Sequence, residues 1–546
     1  MLDDLDLTSI ADPRTRELVV RLLNIIETLT ADLRAAQVEI QQLRDEINRL
    51  KGEQGQPPIK PNTPPPDHSS ERERRRPLER VKRGKRDRIA IDRTHDLPLD
   101  PAILPPDAQF KGYEEVVVQD VIIRTDNVLF RKEKWYAPSS GQSYLAPVPA
   151  GYQGEYGPGV RALVLVFYYA SQMTEPKIAD FFAHVGIHIS DGQISNLLIK
   201  DHDRFHTEQE AVYAAGLRSS PWQHLDATTT RVNGQNQHCH VVTNPLHTTF
   251  RTTAAKDRLS VLDVLRNGTP RTFRLNAEAF GYLAQAGVSA VMRAKLAALP
   301  RDQTVDEPTF QQWLDTVLPS LGSQTRKWIV DAAAVAAYHA QSGWPVIRLL
   351  VGDDAPQWTW LTEELALCWV HEGRHYKKLV PTIAVHREAL ATFLTDFWDY
   401  YDDLLAYREH PTATERQRLA DAFAALFCRK TGYWALDERI ALTRAKKASL
   451  LLVLSHPEIP LHNNPAELGA RQRVRKRAIS FGPRTGEGAK AWDTFMSLAV
   501  TTKQLGVSFY HYIHDRISGT QQIPPLDQIV DERARELDLG ASWGPF

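Results

Sequence analysis

From Val19 to Leu50, apolar residues recur at alternating steps of three and four without a break. One series is Val19, Ile26, Leu33, Ile40 and Ile47; the other is Leu22, Leu29, Ala36, Leu43 and Leu50. Only a long helix returns side chains to one face at that interval. β-Branched residues dominate the first series and leucine the second, the pattern that favours a parallel two-stranded coiled coil. An amphipathic helix lying on its own body is the competing account. Residues 1–52 are therefore expected to form a coiled-coil dimerisation helix ended by Gly52. The prolines between Gly55 and Pro66 cannot continue it. Residues 53–95 read as a flexible Pro/Arg-rich linker, whose basic run from Arg72 to Arg93 either stays solvated or holds phosphate.

At 546 residues the chain exceeds one domain, and 42% apolar content is ample for a core. The most apolar run, Ala162 to Ala170, falls short of the roughly 18 residues of a membrane span. The acidic start, Met1 to Asp12, argues against a secretory signal. Cys239, Cys368 and Cys428 are too few and too scattered for a disulfide framework. The expected setting is cytoplasmic, without a membrane partner. A formal net charge of −1 points to no polyanionic partner, but its distribution does. Arg471, Arg473, Arg475, Lys476 and Arg477 crowd one short segment.

Val116–Val118, Val121–Ile123, Phe130–Tyr136 and Ser143–Pro147 suggest strands of a small β-rich module over 96–155. Residues 156–218 turn helical. Ile178–Phe182, Gly186 and Ser190–Leu197 read as helix, turn and capped helix, either a helix-turn-helix or a plain helical hairpin. Three strands follow, Gln223–Asp226, His238–Thr243 and Thr248–Thr252, the first pair joined by the hairpin turn at Asn233-Gly234. A helix over Leu259–Leu265 and a buried strand over Val346–Val351 come next. That order matches an α/β, ribonuclease-H-like catalytic core over 219–515, with helical insertions at about 268–340 and 383–455. Residues 516–546 read as a C-terminal tail.

Asp226 closes the first of these strands, Asp353 the last, and Glu467 opens the basic helix. Hard carboxylate oxygens held on separate elements suit magnesium, and two such ions serve phosphoryl transfer. The placement suits an enzyme that cuts or joins nucleic-acid strands. Asp354 adjoins Asp353, and two carboxylates at a strand end repel unless a cation compensates them; either could point inward. Asn464, Pro465 and Glu467 also fit a capping box, which would occupy the glutamate with a backbone N–H. Arg471 could pair with Glu467 one turn away or hold a phosphate. His371-Glu372-Gly373-Arg374-His375 fits the H-E-x-x-H pattern of zinc peptidases, a five-residue match that arises easily by chance.

Taken together these segments resemble the DDE transposases of the insertion-sequence 66 family. Asn463-Asn464-Pro465-Ala466-Glu467, with Arg471 after it and Phe481-Gly482 later, is similar to the segment holding that family's catalytic glutamate. Cys368-Trp369-Val370-His371-Glu372-Gly373-Arg374 resembles its Cys-Trp-x-His-x-x-Arg segment, which removes most of the zinc-peptidase appeal. His224-Leu225-Asp226-Ala227-Thr228 is similar to its first-aspartate motif, and Gly352-Asp353 falls where its second lies, favouring Asp353 over Asp354. The resemblance implies Asp226, Asp353 and Glu467 as catalytic metal ligands, with magnesium, or manganese in its place. It also implies Arg471, Arg475, Lys476, Arg477, His371 and Arg374 at the DNA, and strand cleavage followed by 3′-hydroxyl strand transfer. Implied partners are double-stranded DNA at the element's ends and target, a second copy through the coiled coil, and accessory proteins of the same element. Localisation would be nucleoid-associated when DNA is bound. Residues 110–150 lack the cysteines of the family's zinc module, which marks a divergent subgroup. An inactive, domesticated DNA-binding protein and a stand-alone ribonuclease-H-like nuclease are the rival readings.

Overall fold

The computed structural model describes residues 7, 10–50, 89–105, 108–149, 151–152, 154–540 and 542. Most of the expected linker, its arginine run as far as residue 88, and the acidic first residues lie outside them.

Five strands form one mixed sheet: β1 (Trp222–Val232), β2 (Gln235–Thr243), β3 (Thr248–Thr253), β4 (Leu349–Gly352) and β5 (Glu364–Leu367). Their order across the sheet is β3-β2-β1-β4-β5. The first three pair antiparallel through short turns, whereas β4 and β5 add parallel to β1. Parallel neighbours need long crossovers, which the intervening helices supply. This arrangement is consistent with the ribonuclease-H-like core expected. Strand β5 carries little sequence signal, because Glu364-Leu365-Ala366-Leu367 is short and has no β-branched residue.

Alternation along the strands assigns two faces. Leu225, Val242 and Leu350 point into a core made with the helices Arg258–Leu265 and Ser323–His339. The second helix lies inside the stretch read as an insertion, yet Ile329 to Tyr338 are all buried, so it belongs to the core. Trp222, Leu349 and Val351 point the other way, into the helical stretch that follows β5. Val241 and Phe250 share that face and pack on Ala470 and Phe495. Asp226 shares it too, at the seam between those two clusters.

Two further expectations need correction. The Val116–Val118 and Val121–Ile123 segments form no strands; Val116, Val118, Val121, Ile122 and Ile123 are exposed. A β-branched run becomes a strand only when a partner satisfies its backbone. What forms is one hairpin, Lys134–Ala137 against Gln142–Leu145. The C-terminal stretch is no loose tail either. Its boundary falls inside the helix Phe509–Ser518, and the helix Leu526–Leu537 buries Leu526 and Val530 completely. Arg516 ties that end to Glu208 (Nε–Oε2 2.9 Å).

The N-terminal helix runs from Pro13 to Leu50. One short face does lie on the body. Asn24 bonds Gly432 O and Trp434 N, each at 2.8 Å, and Glu27 accepts from Thr382, Ile383 and His386. The heptad stripe is a different face: Leu22, Ile26, Leu29, Leu33, Ile40, Leu43, Ile47 and Leu50 are exposed. No helix among the described residues is long and apolar enough to cross a membrane.

Candidate active site

Cα pairing of His224 with Val351 fixes the first part of the site. Two residues beyond that pair stand Asp226, inside β1, and Asp353, just past the end of β4. Asp226 Oδ1 accepts from the Ala227 N–H (2.8 Å) and Asp353 Oδ1 from the Trp358 indole (2.5 Å). Asp354 turns to Lys446 and is half exposed, so its expected role as an alternative ligand is not supported by its orientation.

Glu467 comes from the first turn of the helix Asn464–Ser480. The capping box anticipated there does not form. The N-cap is Asn463, not Asn464, and its side chain makes no cap bond. Instead Asn463 Nδ2 donates to Leu225 O (2.8 Å), while its Oδ1 lies 3.0 Å from His224 Nδ1. An amide oxygen only accepts, so His224 carries its proton on Nδ1. Burial pushes that imidazole down to about 3 and keeps it neutral. The helix start is thus tied directly to β1, which does not close at Asp226 as expected but runs on to Val232 because its hairpin partner keeps pairing to that point. Gly469 lets the helix approach: a Cβ there would meet Val241 Cγ1 at 2.7 Å.

A second tie runs through Cys368, at the end of β5. Its N–H donates to Gly352 O (2.9 Å), next to Asp353. Its Sγ accepts from the backbone N–H groups of His371 (3.4 Å) and Asn463 (3.3 Å). β1, β4, the helix Trp369–Lys377 and the glutamate helix therefore meet at two buried side chains, Asn463 and Cys368.

Glu467 pairs with Arg374 (Nη2–Oε2 3.2 Å) rather than with Arg471 one turn along its own helix. Arg374 Nη1 also donates to His371 Nε2 (3.1 Å). That leaves the His371 proton on Nδ1, 3.6 Å from Glu467 Oε1 and without a hydrogen-bond acceptor. Burial holds this imidazole below its usual range, opposed by Glu467. Asp226 shows the collective electrostatics: burial raises it to about 6, and the charges of Asp353 and Glu467 add to the rise.

Three ligand atoms, on Cys368, His371 and Glu467, lie within 4.8 Å of one another, a spacing a metal ion could use. The sulfur is a poor donor, however. It already accepts two N–H groups, and burial pushes the thiol up to about 12, so it stays protonated. A zinc-peptidase arrangement fares worse. Glu372, its would-be general base, is buried in bonds to Arg439, Thr443 and Lys446, and His375 is not in the cluster. Asp226, Asp353 and Glu467 offer hard oxygens of the kind magnesium takes, but among the described residues the ligand atoms spaced for one ion are those of Cys368, His371 and Glu467.

Of the cations expected at DNA, Arg471, Arg475 and Arg374 are exposed, and His371 and Arg477 partly so. Lys476 is not available. It is fully buried, donates to Tyr168 O (2.7 Å) and Met173 O (3.3 Å), and sits 3.1 Å from the Tyr168 ring centre. Burial pulls it down to about 7. Arg473 is buried as well, paired with Asp493 (3.0 Å). A charge run on a helix reads alike whether its residues face solvent or the core, so only packing separates them. The expected helix-turn-helix region does contain the helices Glu175–His184 and Asp191–Ile199, the latter capped by Ser190.

Residues 359–491 match the profile of the family described as Transposase IS66 family. That span holds Cys368, His371, Arg374 and Glu467. Over 329 residues the chain is 33% identical to "Uncharacterized protein y4jO" of Sinorhizobium fredii (strain NBRC 101917 / NGR234), an alignment taking in 59% of this chain and 99% of that protein.

Proposed function

The chain belongs to the IS66 transposase family, and from that premise we propose that it cuts and rejoins DNA at the ends of a mobile element, with Asp226, Asp353 and Glu467 as its catalytic carboxylates. The observation that carries this reading is the convergence of three elements: the register of β1 with β4 sets Asp226 near Asp353, and Asn463 ties the glutamate helix to β1. Magnesium, or manganese in its place, would supply the Lewis acidity that in-line phosphoryl transfer needs. The chain's own groups do the rest. Arg374, itself braced on His371 Nε2, holds Glu467 in one orientation, and the Trp358 indole does the same for Asp353. Arg471, Arg475 and Arg477 offer charge to the phosphate backbone along the glutamate helix.

In this reading the helices Glu175–His184 and Asp191–Ile199, within residues 156–218, contact the element's ends. The exposed heptad stripe of the N-terminal helix pairs with a second copy, and accessory proteins of the same element complete the assembly. The missing cysteines over 110–150 mark a divergent subgroup of the family.

Glu467→Gln is the direct test. Magnesium-dependent nicking and joining of duplexes from the element's own ends should vanish, while DNA affinity stays within about threefold, less than one backbone contact supplies. Preserved cleavage would remove Glu467 from the chemistry. A wild-type protein that binds these duplexes but never cuts them is a DNA-binding regulator. One that cuts without joining is a nuclease.

A further inference from the structure

Phe481 ends the glutamate helix in a left-handed conformation (φ 58°, ψ 6°). Aromatic residues avoid that region, which costs a β-substituted residue about 1 kcal/mol or more. Its ring is also 85% exposed. Trp360 offers a contrast: it too has a positive φ (73°), but its ring stacks on Tyr282 and lies under Arg258, 4.4 Å away. Among the described residues no ring or cation covers Phe481.

The segment presenting this side chain is braced. Phe481 N–H donates to Arg477 O (2.8 Å) and Asn233 N–H to Pro483 O (2.9 Å). Gly482 (φ 94°) packs so closely on the β1–β2 hairpin that a Cβ would sit 2.4 Å from Arg231 O. Arg477 reaches across to Thr229 O. Exposed Arg231 lies across the Gly482 contact, exposed Arg484 follows three residues after Phe481, and exposed Arg475 stands six residues before it on the helix. An apolar ring held rigidly in a basic surround suits nucleic acid better than a protein core, because bases offer π-faces between charged phosphates.

Phe481 lies 14 residues beyond Glu467, or about 21 Å along the helix and within about 40° of the same side. At about 3.4 Å per base pair that spans about six steps of duplex. We propose that Phe481 is a DNA base-stacking site, pressing on or entering a base step about six steps from the phosphate held at Glu467. This rests on the transposase reading and adds a contact that reads the base stack instead of the backbone.

The test uses the full chain and a duplex of about 30 base pairs ending in a 3′-hydroxyl, with 2-aminopurine walked from about the third to the ninth step. Wild-type protein should change the fluorescence at one or two adjacent positions. Phe481→Ala should abolish that change and weaken binding about tenfold, whereas Phe481→Tyr keeps both. Phe481→Gly should melt no lower than wild type, since glycine accepts the backbone without strain. A fluorescence change that survives Phe481→Ala overturns the proposal, as does a glycine variant that melts lower. Lost self-association with unchanged DNA signals would assign the ring to a protein partner and overturn it equally. Wild-type protein that ignores DNA altogether defeats the transposase reading along with this one. Loss of the stacking signal alone, with cleavage intact, leaves that reading standing.

Discussion

Asp226→Asn should make the metal-free protein more stable while destroying catalysis. The carboxyl is raised from its ordinary 3.8 to about 6, first by burial and then by Asp353 and Glu467. Keeping it ionised at neutral pH therefore costs up to about 3 kcal/mol. Asparagine preserves the shape and the bond from Ala227 N–H, and it carries no charge. The sign follows from linkage. The folded state binds this proton more tightly than the unfolded chain, so the stabilisation is complete below about pH 4 and is lost as pH rises through about 6. Denaturant melts from pH 4 to 8, in chelator, should show the wild type losing ground to the variant across that window. Magnesium added at pH 8 should recover about 2 to 3 kcal/mol in the wild type at a hundredfold excess over Kd, and little in the variant. A variant no more stable than wild type at pH 8 would refute the electrostatic argument. Equal stabilisation of both by magnesium would refute Asp226 as a ligand.

Asn463→Ala leaves Leu225 O and His224 Nδ1 buried without partners, which should cost about 2–4 kcal/mol in urea unfolding and lower strand cutting more than DNA affinity. Arg475→Ala should flatten the slope of log affinity against log salt by about one, whereas Lys476→Met should leave it unchanged; equal effects would contradict the burial of Lys476. Leu29→Asp combined with Leu33→Asp puts charge on the exposed stripe and should yield monomers by light scattering; a surviving dimer would place self-association elsewhere.

Periodic and local features were legible before any coordinates. The heptads marked a helix that runs to Leu50, and Asn233-Gly234 marked the hairpin whose register sets Asp226 beside Val241. Asp353 stood out because it follows the short apolar run that forms β4, whereas Asp226, read as closing a strand, sits inside one that runs on to Val232. Side-chain partners were not legible, because they come from distant segments. Asn464 reads as the helix cap, but Asn463 holds that position and spends its side chain on Leu225 and His224 of β1. Asp353 and Asp354 are indistinguishable until Trp358 claims one and Lys446 the other. Lys476 reads like Arg475 until the helix packs on Tyr168. Helical and strand periods are written in neighbouring residues, so the chain alone determined its elements and the acids worth watching. Burial and electrostatic coupling are properties of what meets in space, and those only the tertiary structure decided.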